Sequence, residues 1–371
     1  MKTLLPVQLI ILLAFFFGSA STVFSQTVDS SAQVAPLVSL SGFVDVFYAY
    51  DFSQPAERDF RQPFLFNHNR HNEVNLNLGL LRLSVEHPKY RANLALQAGT
   101  YAEDNYAAEQ DLLRHVFEAN AGISLNSSNT LWLDAGILGS HIGFESAVSA
   151  ENPTLTRSLL AENSPYFLTG AKLSYEPSEE WLIAALITNG WQRIRRVRGN
   201  SLPSFGSQVT YTRASELVLN WSTLIGTDDP DATRRMRYFN NFYGQFFLSP
   251  HITLTAGFDV GFQQQQKNSN AYDWWYSPVL ITQYRINEQW ATAFRAEHYA
   301  DESQVIISNL SPAEFRATGL SVNLDYSPVK NVFCRLEGRW LQSDNRIFQE
   351  DDSFGRSNVF IVGSLAVKLG S

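Results

Sequence analysis

Charged residues in this chain recur at every second position along segments that are otherwise apolar. Arg335, Glu337 and Arg339 share one parity, opposite Cys334, Leu336 and Trp340. Arg295 and Glu297 stand the same way two segments earlier. Alternate side chains of an extended strand point to opposite faces, so these charges gather on one face of a sheet whose other face is greasy. Mixed charges around a water-filled space set its field and bias which ions pass. The same residues also satisfy one another if they pair within the interior, and both roles are compatible.

The second chemistry-bearing stretch runs from His141 to Ser164. It interleaves Ile142, Phe144, Val148, Leu155, Leu159 and Leu160 with Glu145, Glu151, Arg157 and Glu162. A connection of this length without a strand pattern is usually functional or disordered, and its apolar residues argue that it packs against something. The expectation is that it narrows a lumen. Glu145, Glu151 and Arg157, together with Arg295, Glu297, Arg335, Glu337 and Arg339, would then line the pore and its constriction. The alternative is an external loop packed on its neighbours.

Other candidates are weaker. Arg193, Arg195, Arg196 and Arg198 form a basic loop, with Arg234, Arg235 and Arg237 near another; such loops pair with lipid phosphates or simply stay solvated. Asp228, Asp229 and Asp231 offer hard oxygen ligands for Ca²⁺, but their spacing matches no complete calcium loop. His68 and His71 beside Asn69 and Asn72 read as a solvated loop. No G-x-S-x-G, H-E-x-x-H or P-loop is present. Ser140 and His141 are adjacent, which in a strand turns them apart. Neither catalysis, a metal nor a cofactor is expected.

Strands must position all of this. Seven short turns centre on Pro88, Ser127, Ser178, Ala214, Pro250, Glu288 and Pro328. Between them lie strand-like segments separated by longer polar loops. Ile252-Leu254-Ala256-Phe258-Val260-Phe262 opposes Thr253-Thr255-Gly257-Asp259-Gly261-Gln263. Leu320, Val322 and Leu324 oppose Ser321, Asn323 and Asp325 in the same way. The apolar parity slips after Leu80, from Val74-Leu76-Leu78-Leu80 to Leu81-Leu83-Val85, which predicts a bulge near Leu80-Leu81. Tyr90, Trp132, Trp181 and Trp290 follow short turns and Tyr175 and Tyr326 precede them, while Trp191, Trp274, Trp275 and Trp340 sit at the opposite ends. Two aromatic girdles are what a bilayer's two interfaces select. The reading is all-β: a transmembrane antiparallel β-barrel of about sixteen strands with tight turns at one rim and long loops at the other. An even count lets the first strand pair with the last and leaves no open edge in lipid.

The N-terminus reads as a secretory signal over 1–25, with Lys2, an apolar core from Leu9 to Phe17 and small residues up to Ser25. A periplasmic segment over 26–38 and a barrel over 39–371 follow. The lone Cys334 excludes an internal disulfide, and a net charge of −8 argues against nucleic acid. Mean hydropathy of −0.16 is no objection to a barrel, because half of each strand faces a wet interior.

Several segments resemble a family of outer-membrane β-barrel porins of the OmpL-like type. They include Val85–Gln97, Leu131–Ile137, Gly139–Ala147, Thr156–Tyr166, Ile187–Trp191 and Tyr238–Gly244. The resemblance covers most of the chain after the signal and implies a porin in the outer membrane of a Gram-negative cell. It transfers no catalytic or ligand residue. The chain departs from many such barrels in ending Val367-Lys368-Leu369-Gly370-Ser371, without a terminal aromatic residue. The expected function is passive diffusion of small hydrophilic solutes through a water-filled barrel. A lipid hydrolase and a non-conducting structural or adhesion barrel are the alternatives. Expected partners are outer-membrane lipid, lipopolysaccharide and the solutes themselves; a homo-oligomer is admitted by analogy with other sixteen-stranded porins.

Overall fold

The computed structural model describes residues 34–55, 60–308 and 311–370. The expected signal over 1–25, and most of the segment that follows it, lie outside the described residues. The strands are β1 (Leu37–Asp51), β2 (Val74–His87), β3 (Tyr90–Ala98), β4 (Val116–Ser124), β5 (Leu131–Gly139) and β6 (Phe167–Ser178). Next come β7 (Trp181–Thr188), β8 (Ser204–Arg213), β9 (Leu217–Gly226), β10 (Arg237–Phe247), β11 (Ile252–Gln264) and β12 (Tyr272–Arg285). The last are β13 (Trp290–Asp301), β14 (Phe315–Tyr326), β15 (Val332–Gln342), the small hairpin β16 (Phe348–Glu350) and β17 (Ser353–Gly355), and β18 (Ser357–Leu369).

Each long strand pairs antiparallel with its sequence neighbour, and β1 closes on β18, so the sheet has no free edge. The hairpin β16–β17 belongs to the loop between β15 and β18. All seven tight turns lie at one rim. Their side chains satisfy the backbone that reverses there. Asn126 Oδ1 accepts from the N–H groups of Thr130 and Leu131 at 3.0 and 3.3 Å. Asn287 Oδ1 serves Gln289 and Trp290 at 2.9 Å each. Asn129 and Asn331 adopt φ of 56° and 70°, a left-handed conformation that asparagine tolerates better than most residues.

Alternation decides which face meets lipid. On β14 Leu320, Val322 and Leu324 point outward and exposed while Ser321 and Asn323 are buried inward. On β15 Leu336 and Trp340 face out, and Arg335, Glu337 and Arg339 face in. A charge at the bilayer midplane costs about 2–4 kcal/mol on the lipid face, which makes the inward parity the stable one.

Two expectations need correction. The bulge lies at Asn77, not at Leu80-Leu81: Asp45 pairs with Leu78 and Val46 with Leu76, leaving Asn77 as the extra residue. After it, Leu78 and Leu80 point into the lumen, buried beside Tyr101 and Tyr106 of the loop between β3 and β4. An apolar residue therefore does not mark the lipid face where a loop covers it inside. The aromatic girdle is incomplete as well. Trp181, Trp274, Trp290 and Trp340 are exposed on the outside, and Trp290 stacks on Tyr326 at 4.5 Å. Trp132 and Trp275 are buried inside, and Trp191 packs against Trp275 and Phe239.

Candidate functional site

The connection from β5 to β6 crosses the lumen and docks on the far wall. It leaves β5 through His141, whose Nε2 lies 2.9 Å from the Thr223 carbonyl on β9 and whose own carbonyl accepts from Ser222 Oγ at 2.6 Å. Gly143 donates its N–H to Asn241 Oδ1 on β10 at 3.1 Å. Leu155 N donates to Asn323 Oδ1 on β14 at 3.1 Å and Thr156 N to Glu337 Oε2 on β15 at 2.6 Å. Leu159 N donates to Glu297 Oε2 on β13 at 2.7 Å. Inward side chains of β10, β13, β14 and β15 thus act as acceptors for loop N–H groups, and Ser222 on β9 donates to a loop carbonyl, for a loop backbone that has no sheet partner of its own. Buried backbone donors require such partners.

Charges lock this arrangement. Arg295 Nη1 donates to the Thr156 carbonyl and to Thr154 Oγ1 at 2.7 and 2.8 Å, and its Nη2 to Glu337 Oε1 at 2.7 Å. Arg339 Nη2 lies 2.6 Å and Arg295 Nε 3.2 Å from Glu297 Oε1, ion pairs without the angular alignment of hydrogen bonds. Arg157 donates to the carbonyls of Ser146, Ala147 and Leu155 at 2.6–2.8 Å, pinning the loop to itself. Glu145 accepts from the N–H and hydroxyl of Ser158. Glu162 accepts from the N–H groups of Phe66 and Asn67 at 2.8 and 3.1 Å, tying in the loop between β1 and β2. Burial pushes the carboxyls of both Glu145 and Glu162 above the usual range, with Arg295 and the Phe66 N–H respectively pulling them back. Arg61, Arg157, Arg295 and Arg339 are buried alongside Glu145, Glu162, Glu297 and Glu337. Opposite charges thus lie side by side, which is the condition for keeping them out of water.

The eight residues proposed from the sequence therefore divide. Glu145 and Glu151 line a cavity of about 340 Å³ on the side of the loop turned toward β2, β4 and β5. Glu151 is exposed and pairs with Lys368 at 3.3 Å. Arg335 lines a cavity of about 240 Å³ near the turn rim while pairing with Asp325 at 2.7 Å. Arg157, Arg295, Glu297, Glu337 and Arg339 are sealed between loop and wall. Arg82 and Glu118, which pair at 3.0 Å, line the 340 Å³ cavity and were not singled out in the sequence. Their signal was there: each sits on the polar parity of a strand.

A further cavity of about 740 Å³ lies between the loop and β10–β12 toward the turn rim, and Phe144 and Glu151 line both. The loop-side half of the lumen is different. Phe47, Phe64, Leu155, Phe239, Trp275, Tyr299, Phe315, Phe348 and Phe360 form one apolar cluster there.

The other candidates separate clearly. Asp228, Asp229 and Asp231 pair with Arg237, Arg235 and Arg234, and no metal-ligating cluster exists among the described residues. His68 is not solvated as expected: it is buried, with Nε2 2.9 Å from Asp45 Oδ2, and His71 is buried too. Their loop folds inward instead of standing in water. Ser140 Oγ accepts from Ile142 N while His141 faces Thr223, so the two side chains share no hydrogen bond.

A closed antiparallel barrel with a lipid-facing apolar surface, a polar and charged interior and an infolded loop defines an outer-membrane porin-type protein. The family model described as "Putative beta-barrel porin-2, OmpL-like" matches residues 37–369, and the chain belongs to that family. No curated protein matches the sequence. Among solved structures, an anion-selective porin from Comamonas acidovorans is similar at 9% identity and a TM-score of 0.61, over 90% of this chain and 100% of that one. The outer-membrane channel DcaP of Acinetobacter baumannii is similar at 11% identity and a TM-score of 0.60, over 90% and 98%. OmpT, an outer membrane protein of Vibrio cholerae, follows at 8% identity and a TM-score of 0.55, over 90% and 100%. These likenesses concern the fold. The barrel resides in the outer membrane.

Proposed function

We propose that the barrel carries small hydrophilic solutes across the outer membrane by passive diffusion, along the face of the infolded loop turned away from its charged dock. The carrying observation is the pair of cavities, about 340 and 740 Å³ in volume, that share Phe144 and Glu151 in their linings. Arg82, Glu118, Glu145 and Glu151 would screen solutes at the narrow part, and Arg335 at the turn rim. Arg157, Arg295, Glu297, Glu337 and Arg339 act one step removed, by fixing where the loop stands and hence how wide the passage is. No catalysis is assigned. The exposed aliphatic and aromatic outer wall is suited to lipid, and lipopolysaccharide and further copies of the chain are the natural neighbours.

A second reading is a barrel that stays shut until its loops move. The apolar cluster that joins inward strand residues such as Phe239 and Phe315 to loop residues such as Phe64, Ile307 and Phe348 favours it.

Swelling of proteoliposomes in isotonic sugar tests the diffusion reading. Swelling rates that fall with sugar size support it. Proteoliposomes holding folded barrel that swell no faster than protein-free vesicles contradict it.

A further inference from the structure

The Phe144 ring occupies a place prepared for it. Gly257 on β11 faces the lumen, and a Cβ at that position would stand 2.7 Å from Phe144 Cε1. A glycine inside a strand often marks the close approach of another group, and here the group is an aromatic ring from the loop. Gly257 pairs in register with Tyr243 on β10, and the Phe144 and Tyr243 rings lie 5.6 Å apart, tilted by 59°. Gly143, at φ +82° and tied through its N–H to Asn241, sets the turn that delivers the ring. Backbone, glycine and register thus all fix Phe144 where it lines both cavities.

The surroundings combine stacking surface with paired polar groups. Phe144 and Tyr243 line the 340 Å³ cavity together with Phe117, Ser146 and the Arg82–Glu118 pair. That volume falls in the range of small-ligand pockets, which join aromatic walls to a few polar groups that orient the ligand. The carboxylates already have partners: Glu118 has Arg82, Glu145 has Ser158 and Glu151 has Lys368. Glu145 differs from the other two in having a neutral partner. A ligand that presents both an apolar C–H face and ring hydroxyls fits this lining of aromatic rings and hydrogen-bonding groups.

Building on the diffusion reading, we propose that Phe144 and Tyr243 form a saccharide subsite at the waist of the passage, where a neutral hydroxylated ring stacks and its hydroxyls bridge to the Arg82–Glu118 pair and Ser146. Transit of such solutes then runs through a bound state.

The test uses the full chain refolded in detergent micelles with maltose as the probe, read by saturation-transfer difference NMR. The wild type should transfer saturation to the sugar's C–H protons. Phe144→Leu keeps an apolar side chain but removes the ring, and should weaken the signal about five-fold, as loss of an aromatic contact implies. Phe144→Tyr should keep it, which separates ring loss from misfolding; heat-modifiable gel migration confirms the fold of each. No transfer in the wild type, or equal transfer in Phe144→Leu, overturns the subsite. Sugar-free conductance of the same preparation separates the two ideas. A conducting barrel without sugar transfer overturns the subsite alone, and a silent barrel that binds maltose overturns diffusion alone. A barrel that does neither overturns both.

Discussion

Thr156 donates its backbone N–H to Glu337 at 2.6 Å, joining the middle of the long loop to a wall strand 181 residues further along the chain. The carbonyl of the same threonine accepts from Arg295 at 2.7 Å. One loop residue is thereby held by both signs of the wall's charge. Buried ion pairs add little net stability over apolar packing, but removing one partner leaves a stranded charge and is strongly destabilising. On the proposed reading, the cluster fixes one position for the loop, and with it the geometry of the passage.

Arg295→Ala should undock the loop without unfolding the barrel. Glu297 and Glu337 would lose their shared guanidinium, at about 3–5 kcal/mol. The sixteen-stranded hydrogen-bond network is untouched by the change. Trypsin should then cleave after Arg157, which is buried in the wild type, while the heat-modifiable band stays. Continued protection of Arg157 in the variant would refute the docking role.

The barrel was legible because period-2 alternation and tight turns are local signals. All seven turns and the parity of Arg335, Glu337 and Arg339 follow from them. The infolded loop was legible only in outline, since the apolar residues between Ile142 and Leu160 announce burial but not against what. What stayed hidden depends on contacts between distant segments. Trp275 and Leu80 look lipid-facing until the loops that cover them inside are known, and the bulge at Asn77 was masked because leucines occupy both parities around it. His68 was hidden for a similar reason: its partner Asp45 lies on β1, and nothing in the local sequence marks the contact. Inward glycines were the neglected clue. Gly206 makes room for His141, Gly257 for Phe144 and Gly261 for Trp275.

Those glycines make a quantitative prediction. A Cβ at Gly261 would fall 2.1 Å from Trp275 Cζ2, whereas one at Gly338 would meet nothing within 4 Å. Gly261→Ala should cost about 1–3 kcal/mol through overpacking. Gly338→Ala should stay within about 0.5 kcal/mol. Urea unfolding of the two refolded variants checks the contrast, and equal effects would contradict the packing described.

The external loops should hold together well into acid. Asp231 accepts from the Ser201 N–H at 3.0 Å and pairs with Arg234. The Ser201 hydrogen bonds foremost, then Arg234, lower its carboxyl from 3.8 to about 2. A depressed acid favours the folded link above its ordinary pKa and loses that contribution as pH falls through the folded value. The link between the two loops should therefore persist at pH 4 and weaken only as pH drops from 3.8 toward 2. An NMR titration of the Asp231 side-chain carboxyl checks this. A midpoint at or above 3.8 would contradict it.

Solutes are proposed to pass beside the docked loop, and single-channel recording in planar bilayers tests this most directly. Refolded wild type should give steady, ohmic conductance in salt alone, and Arg295→Ala a larger and noisier one as the loop swings free. Conductance in the variant only would favour the barrel that opens when its loops move. Folded protein that inserts yet stays silent in both forms would contradict the account.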